Sequence, residues 1–332
     1  MNPSDKKTEK QVAMLRPIKK ALVTGGAGFI GSHLVDALVQ QGCAVRVLDN
    51  LSGGSLANIA HQKNHIEFNK GDIRDPDILG RMAAECDIIF HQAAVVSVPQ
   101  TVADPMGSAA VNDTGTLTVL ETARQAAVKR VVLASSCAVY GDEPEIPKHE
   151  EMRLKPRSPY AVQKLTNELY AGVYAELYGL ETVCLRYFNV FGPRQDPSSP
   201  YSGVISIFLT RASKGEQPVI YGDGSQYRDF VFVKDVVQAN LKAATADTVS
   251  GEVFNVGTGH FVRIQELWQR VTELAAIDLS PEYAPLRRGD ILESVADIQK
   301  TSQRLGFKPA YPFSDGLRIT YDWYRRTVTR DG

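Results

Sequence analysis

Tyr160 and Lys164 stand four residues apart in PYAVQK, a spacing that puts both side chains on one face of a helix. A free tyrosine ionises near pH 10, too high for a base at neutral pH. A positive charge beside it favours the phenolate, so this pair could take a proton from a substrate hydroxyl. Ahead of them, VVLASSCAVYG ends an apolar run in Ser135 and Ser136, the latter 24 residues before Tyr160. Two hydroxyls there could be catalytic or could only close a sheet edge. Taken singly, the Tyr–Lys pair is no more than an amphipathic helix.

A second constellation supplies a partner for such a base. In TGGAGFIG, Gly25, Gly28 and Gly31 follow an apolar run and open a helical pattern. Glycines so spaced permit a tight turn, close backbone approach to a pyrophosphate and close helix packing, with helix N–H groups facing the anion. Asp49, eighteen residues beyond Gly31 at the end of VRVLD, suits ribose hydroxyls and repels a 2′-phosphate. Asn50 follows it where a phosphate would want arginine, so NAD is favoured over NADP. Asp72, in GDIRD, is read as reaching adenine, or otherwise as a turn leading a helix. A positive nicotinamide would favour the Tyr160 phenolate, and Lys164 suits the nicotinamide ribose.

The elements that must carry these residues alternate along the chain. Apolar runs at 21–24, 45–49, 66–69, 87–90, 131–134 and 182–185 read as strands, and segments near 30–41, 77–84, 115–127 and 159–178 as helices. This alternation predicts an α/β fold with a Rossmann-type, doubly wound parallel sheet. After Asn189 the Pro-, Ser- and Gly-rich FGPRQDPSSPYSG leaves the sheet. Residues 203–215 read as helix, 219–233 as strand, turn and strand, 253–259 as one more buried strand, and 263–275 as helix. We therefore expect a flexible arm at 1–18, an NAD-binding domain at 19–189 plus 231–259, and a smaller discontinuous α/β lobe for substrate at 190–230 plus 260–330.

Bulk properties narrow the class. A length of 332 residues exceeds the usual single domain, and a formal net charge of −1 argues against nucleic acid or an anionic membrane as partner. The four cysteines show no CxxC spacing and the six histidines no ligand spacing, so neither disulfides nor a metal site is expected. The charged MNPSDKKTEKQ lacks a signal-peptide core and no apolar run reaches transmembrane length, so the expected compartment is the cytoplasm.

Together, GGAGFIGSH, LDN, GDIRD, HQAA, Tyr160-x-x-x-Lys164 and RYFNVFGPR resemble the extended short-chain dehydrogenases/reductases, and within them the NAD-dependent nucleotide-sugar 4-epimerases. The resemblance spans about residues 19–325. It implies that Ser136 is the catalytic hydroxyl beside Tyr160 and Lys164, with Ser135 a supporting neighbour. It adds Phe29, Ile30, Asn50, Ser52, Ile73, Gln92, Ala93, Ala94, Asn112 and Phe188 to the cofactor site. Ser97, Asn189, Val204 and Tyr221 would line the substrate pocket, and Arg228 and Arg287 would hold the diphosphate, for which arginine's planar fork is suited. Helices 115–127 and 159–178 match those that pair subunits in the family, which implies a homodimer built on a four-helix bundle.

The resemblance also implies a reaction. Family members that dehydrate the sugar carry an acidic pair after the catalytic hydroxyl, and the decarboxylases a glutamate before Val-Tyr-Gly; here those positions hold Cys137 and Ala138, which supply no acid or base. C4 epimerisation of a UDP-hexose through a transient 4-keto sugar, with NAD tightly bound and regenerated each turnover, is the route that remains. Glucose-restricted members resemble one another in a bulky tyrosine where this chain has Ser294, which leaves room for a 2-acetamido group. UDP-GlcNAc/UDP-GalNAc is the expected pair, with UDP-Glc/UDP-Gal as a second activity. The alternatives are a UDP-uronate epimerase, a dehydratase or decarboxylase of the same family, and a non-catalytic NAD-binding scaffold.

Overall fold

Seven parallel strands form the centre of the protein. The computed structural model describes residues 18–196, 203–286 and 292–328. All of the expected arm except Ile18 lies outside these residues, as does Arg287. In chain order the first half runs β1 (Lys20–Thr24), α1 (Phe29–Gln40), β2 (Ala44–Asp49), β3 (Ile66–Lys70), α2 (Pro76–Ala83), β4 (Ile88–His91), α3 (Val98–Ala103), α4 (Pro105–Ala109), α5 (Thr116–Gln125), β5 (Arg130–Ser136), α6 (Pro159–Tyr178) and β6 (Glu181–Tyr187). The remainder is β7 (Asn189–Phe191), α7 (Val204–Lys214), β8 (Val219–Tyr221), β9 (Tyr227–Arg228), β10 (Phe230–Phe232), α8 (Val233–Thr245), β11 (Glu252–Val256), β12 (Val262–Arg263), α9 (Ile264–Ala275), β13 (Glu282–Ala284), β14 (Glu293–Ser294), α10 (Gln299–Leu305) and α11 (Phe313–Val328).

The large sheet has the order β11-β6-β5-β4-β1-β2-β3. The order in which the chain adds strands reverses between β1 and β4, the crevice where doubly wound sheets bind ligands at their carboxyl ends. Successive strand residues face opposite layers. Ala21, Val23, Val47, Phe90 and Leu185 pack under α1 and α8, and Leu22, Leu48, Ile89 and Leu133 under α2, α5 and α6. Both faces being covered explains why these strands read as unbroken apolar runs.

Three small sheets stand outside the large one: β7 with β10, β8 with β13, and β12-β9-β14 in one three-stranded unit. They pack with α7, α9 and α11 around Phe191, Phe208, Phe232, Trp268 and Tyr324. The segment after β7 is tied back to α1, where the His33 ring meets the Pro193 carbonyl at 2.9 Å and Arg194 pairs with Asp36 at 2.7 Å. Helices α8, α10 and α11 go beyond the elements legible in the sequence. Among the described residues no helix is long and apolar enough to cross a membrane.

Candidate active site

β5 is buried on both faces and delivers Ser136 to the carboxyl edge of the sheet in extended geometry (φ −149°, ψ 146°). A short 3-10 turn over Cys137–Tyr140 follows, and the Ser136 Oγ accepts from the Ala138 N–H at 3.2 Å. α6 starts beside it with Ser158 as cap, its Oγ accepting from Ala161 N–H at 3.2 Å, and Pro159 in the first turn, where no amide partner is lost. Tyr160 thus enters in the first turn, within hydrogen-bond reach of Ser136. Lys164 lies one turn on, buried, its Nζ donating to the Ala134 carbonyl at 2.8 Å and standing 5.8 Å from the Tyr160 ring centroid.

Burial dominates both ionisations. It pushes Tyr160 up to about 12, against the pull of the Ser136 hydrogen bond. It brings Lys164 down to about 8, opposed by Cys184, Glu168 and Asp113. By itself the pair therefore holds a neutral phenol, and a further positive charge is what would convert Tyr160 to a base. The Lys164 ammonium has donors left over for ribose hydroxyls.

The residues present fit a dinucleotide. Gly25 has φ +69°, and a Cβ there would stand 2.6 Å from the Ala93 amide nitrogen. A Cβ on Gly31 would collide with the Gly25 carbonyl. Gly28 caps α1 without any side-chain hydrogen bond, leaving first-turn N–H groups for a pyrophosphate. Phe29 and Ile30 begin α1 and lean on the core of the smaller lobe. Asp49 is buried at the end of β2, where its carboxylate accepts from Ala27 N–H at 2.9 Å and Leu51 N–H at 2.8 Å. It holds the glycine turn while keeping lone pairs for ribose hydroxyls.

Other residues expected around the cofactor hold its walls. Asn50 accepts from Ser52 N–H at 3.0 Å and donates to Asp72 at 3.3 Å. Asp72 is gripped by Arg74 through two bonds of 2.8 Å, which pull its pKa to about 2, and Ile73 beside it is buried. Gln92 donates to the Tyr187 hydroxyl and the Asn240 side-chain Oδ1, both at 3.2 Å, with Ala93 and Ala94 next in the loop. Asn112 sits in a π-helical turn, where its amide brackets residue 95 by donating to the carbonyl at 2.9 Å and accepting from the N–H at 2.8 Å. Phe188 is buried under the Cys137–Tyr140 turn.

Asn189 donates through both its backbone N–H (3.0 Å) and its Nδ2 (3.2 Å) to the Asp229 carbonyl. Arg228 donates to the carbonyls of Tyr227 at 2.9 Å and Leu292 at 3.2 Å, and pairs in register with Ser294. The buried Ser294 reaches the Cys137 thiol, which also reaches Ser136. Burial pushes that thiol up to about 11, so it stays protonated near neutrality. Ser97 caps α3 by accepting from Gln100 N–H at 3.1 Å, Val204 opens α7, and Tyr221 closes β8, half-buried. Arg287 lies outside the described residues.

Three polar groups support this geometry, and apart from Ser135 sequence reasoning gave their residues no role. Ser135 donates to Glu168, whose carboxylate grips Arg186 of β6 through bonds of 2.8 and 2.9 Å, all of them buried. The signal was there: an arginine inside VCLRYF, and a glutamate four residues past Lys164. The second is His91, fully enclosed between the Thr24 hydroxyl at 2.7 Å and Thr116 at 2.9 Å. Burial and the Lys164 charge press its pKa to about 3, so the imidazole is neutral and bridges the glycine turn to α5. The third is Asp229, next to Arg228.

Comparison with known proteins agrees with this geometry. The family model described as NAD dependent epimerase/dehydratase matches residues 21–257. A UDP-glucose 4-epimerase of Mycolicibacterium smegmatis is 41% identical over 310 residues, covering 92% of this chain and 98% of that one. Among solved structures, the Thermotoga maritima UDP-glucose 4-epimerase with UDP-glucose is 38% identical at a TM-score of 0.89, covering 93% of this chain and 99% of that one. The UDP-N-acetylglucosamine 4-epimerase of Methanobrevibacter ruminantium, in complex with UDP-N-acetylmuramic acid, is 40% identical at a TM-score of 0.90, covering 94% and 100%. Fold, motifs and full-length relatives thus agree that the chain belongs to the NAD-dependent epimerase/dehydratase family.

Proposed function

We propose that this NAD-dependent nucleotide-sugar 4-epimerase acts on UDP-GlcNAc and UDP-GalNAc, with UDP-Glc and UDP-Gal as a second activity. The carrying observation is the small, buried Ser294 against Cys137, one residue from Ser136, where a larger side chain would crowd the sugar. The hydride chemistry at the sugar's C4 would be supplied by NAD, which the Gly25–Gly31 turn, Asp49 and Lys164 would hold. Tyr160, its hydroxyl beside Ser136, removes the O4 proton as the 4-keto sugar forms and returns it afterwards. Lys164 would hold the nicotinamide ribose, and its ammonium stands 5.8 Å from the Tyr160 ring centroid. Arg228 and Arg287 bind the diphosphate and Asn189 orients the nucleotide sugar, which lets the keto sugar turn over between the two half-reactions. Neither the protonated Cys137 thiol nor Ala138 can expel water, so the keto sugar has epimerisation as its outlet.

A second copy of the chain fits α6. Val162, Leu169, Tyr170, Val173 and Leu177 are exposed along one side of that helix at spacings of three, four and seven, the pattern of a face awaiting a partner helix. A homodimer through α5 and α6 would cover it, and sedimentation equilibrium would report a monomer if it did not.

The deciding experiment incubates the purified protein with UDP-GlcNAc, UDP-Glc and their uronates without added NAD and follows the sugar by NMR. C4 inversion of the acetamido pair is expected. Loss of a C6 carboxyl, or a deoxy product, would overturn the epimerase reading.

A further inference from the structure

Asp229 has no side-chain contact with the surface, being 0% exposed, yet it is bonded to the segments that carry Asn189 and Ser294 and directly follows Arg228. Its carboxylate accepts from Thr258 N–H at 2.8 and 3.0 Å, the Thr258 hydroxyl at 2.7 Å, Gly259 N–H at 2.9 Å and Ala296 N–H at 3.2 Å. Its own N–H donates to the Ser294 carbonyl at 2.8 Å, and its carbonyl takes both Asn189 donors. Arg228 precedes it in the chain. The cradle is close: a Cβ on Gly257 would stand 2.6 Å from Asp229 Oδ2.

A buried carboxylate carries a large desolvation penalty. An apolar side chain of similar size would fill the same space without it. What the apolar side chain could not do is order two loops and a strand through directed hydrogen bonds to their backbone amides. Those loops adjoin Ser294 on one side and the β9–β12 pairing that carries Arg228 on the other.

We infer that Asp229 is the positioning residue of the sugar-nucleotide pocket, setting the distances among Asn189, Arg228 and Ser294. This rests on the reading of those three as the substrate-binding residues. Asp229 acts through them and away from the reacting atoms, so its loss should fall on substrate binding and sugar discrimination, with the chemical step spared.

Asp229→Asn replaces one acceptor oxygen with an NH2 that faces N–H donors. The expected result is a KM for the preferred UDP-sugar raised about tenfold or more, kcat within about threefold, and a compressed ratio of kcat/KM between acetamido and glucose substrates. NAD content of the holoenzyme should be unchanged. Thr258→Val deletes a single hydroxyl from the cradle and should shift KM the same way by about two- to fivefold, which carries the test if the first variant does not fold. An unchanged KM and substrate ratio in the folded variants, or a fall in kcat at constant KM, would overturn the inference. Arg228→Ala, titrated with UDP by calorimetry, separates the two layers. Unchanged UDP affinity there would refute the pocket itself. Weakened affinity, with Asp229→Asn and Thr258→Val both normal, would refute the role of Asp229 alone.

Discussion

Ser294 of the smaller lobe reaches the Cys137 thiol, which lies one residue beyond Ser136 at the edge of the central sheet. A residue more than 150 positions away in sequence thus forms part of the same pocket wall as the strand-end hydroxyl. The relationship gives Ser294 a geometric reason to govern the size of the sugar.

Ser294→Tyr should remove acetamido substrates selectively. A phenol ring there would occupy the space proposed for the 2-acetamido group, lowering kcat/KM for UDP-GlcNAc about a hundredfold while UDP-Glc stays within about threefold. Coupled assays on both sugars test it, and equal losses on the two would refute the gatekeeping role.

Tyr160→Phe keeps the ring and deletes the base. We expect kcat to fall by about 10²- to 10⁴-fold, with UDP-sugar affinity and bound NAD preserved. With burial holding the phenol near 12, the phenolate absorbance difference between the parent and Tyr160→Phe should be absent at pH 9 in protein stripped of NAD and appear there when NAD is restored. An activity equal to the parent's would rule Tyr160 out as the base.

Lys164→Met should separate stability from function. The lysine's pKa falls from 10.5 to about 8 on folding because burial disfavours the charge. Below pH 8 both folded and unfolded chains hold the proton, and folding bears the burial cost in full. Between pH 8 and 10.5 the unfolded chain binds more protons, so this group's contribution to stability improves as pH rises. The methionine variant should therefore be more stable at pH 7, by on the order of 1–3 kcal/mol, with the gap closing near pH 10.5 and kcat at least about a hundredfold down. Urea unfolding at pH 7 and pH 10 measures the gap; a parent that is the more stable at pH 7 contradicts the account.

Glu168→Gln leaves Arg186 as an unpaired buried charge behind the catalytic helix. The expected loss is about 3–5 kcal/mol of stability. Adding Arg186→Met should recover much of it, because the second change removes the stranded charge. A double variant no more stable than Glu168→Gln alone would show that the pair is not the source of the loss.

Local chemistry made the first layer of this protein legible from sequence. The glycine turn, Asp49, and the strand ending in Ser136 are written in contiguous residues, because a βαβ unit forms from local propensity and a repeating apolar pattern. Tyr160 and Lys164 could be placed on one helical face by counting alone.

Tertiary structure decided what those residues meet. The sequence cannot say that Ser294 ends against Cys137, or that Arg186, inside an apolar strand, finds Glu168 on the helix crossing it. It gave no sign that Asp229 would gather the amides of Thr258, Gly259 and Ala296. It suggested that Lys164 and a positive nicotinamide together favour the Tyr160 phenolate, and only the enclosed site shows that burial opposes them by holding the phenol neutral on its own. Desolvation and long-range polar pairing depend on which surfaces close over a group, and that is fixed only when distant segments pack.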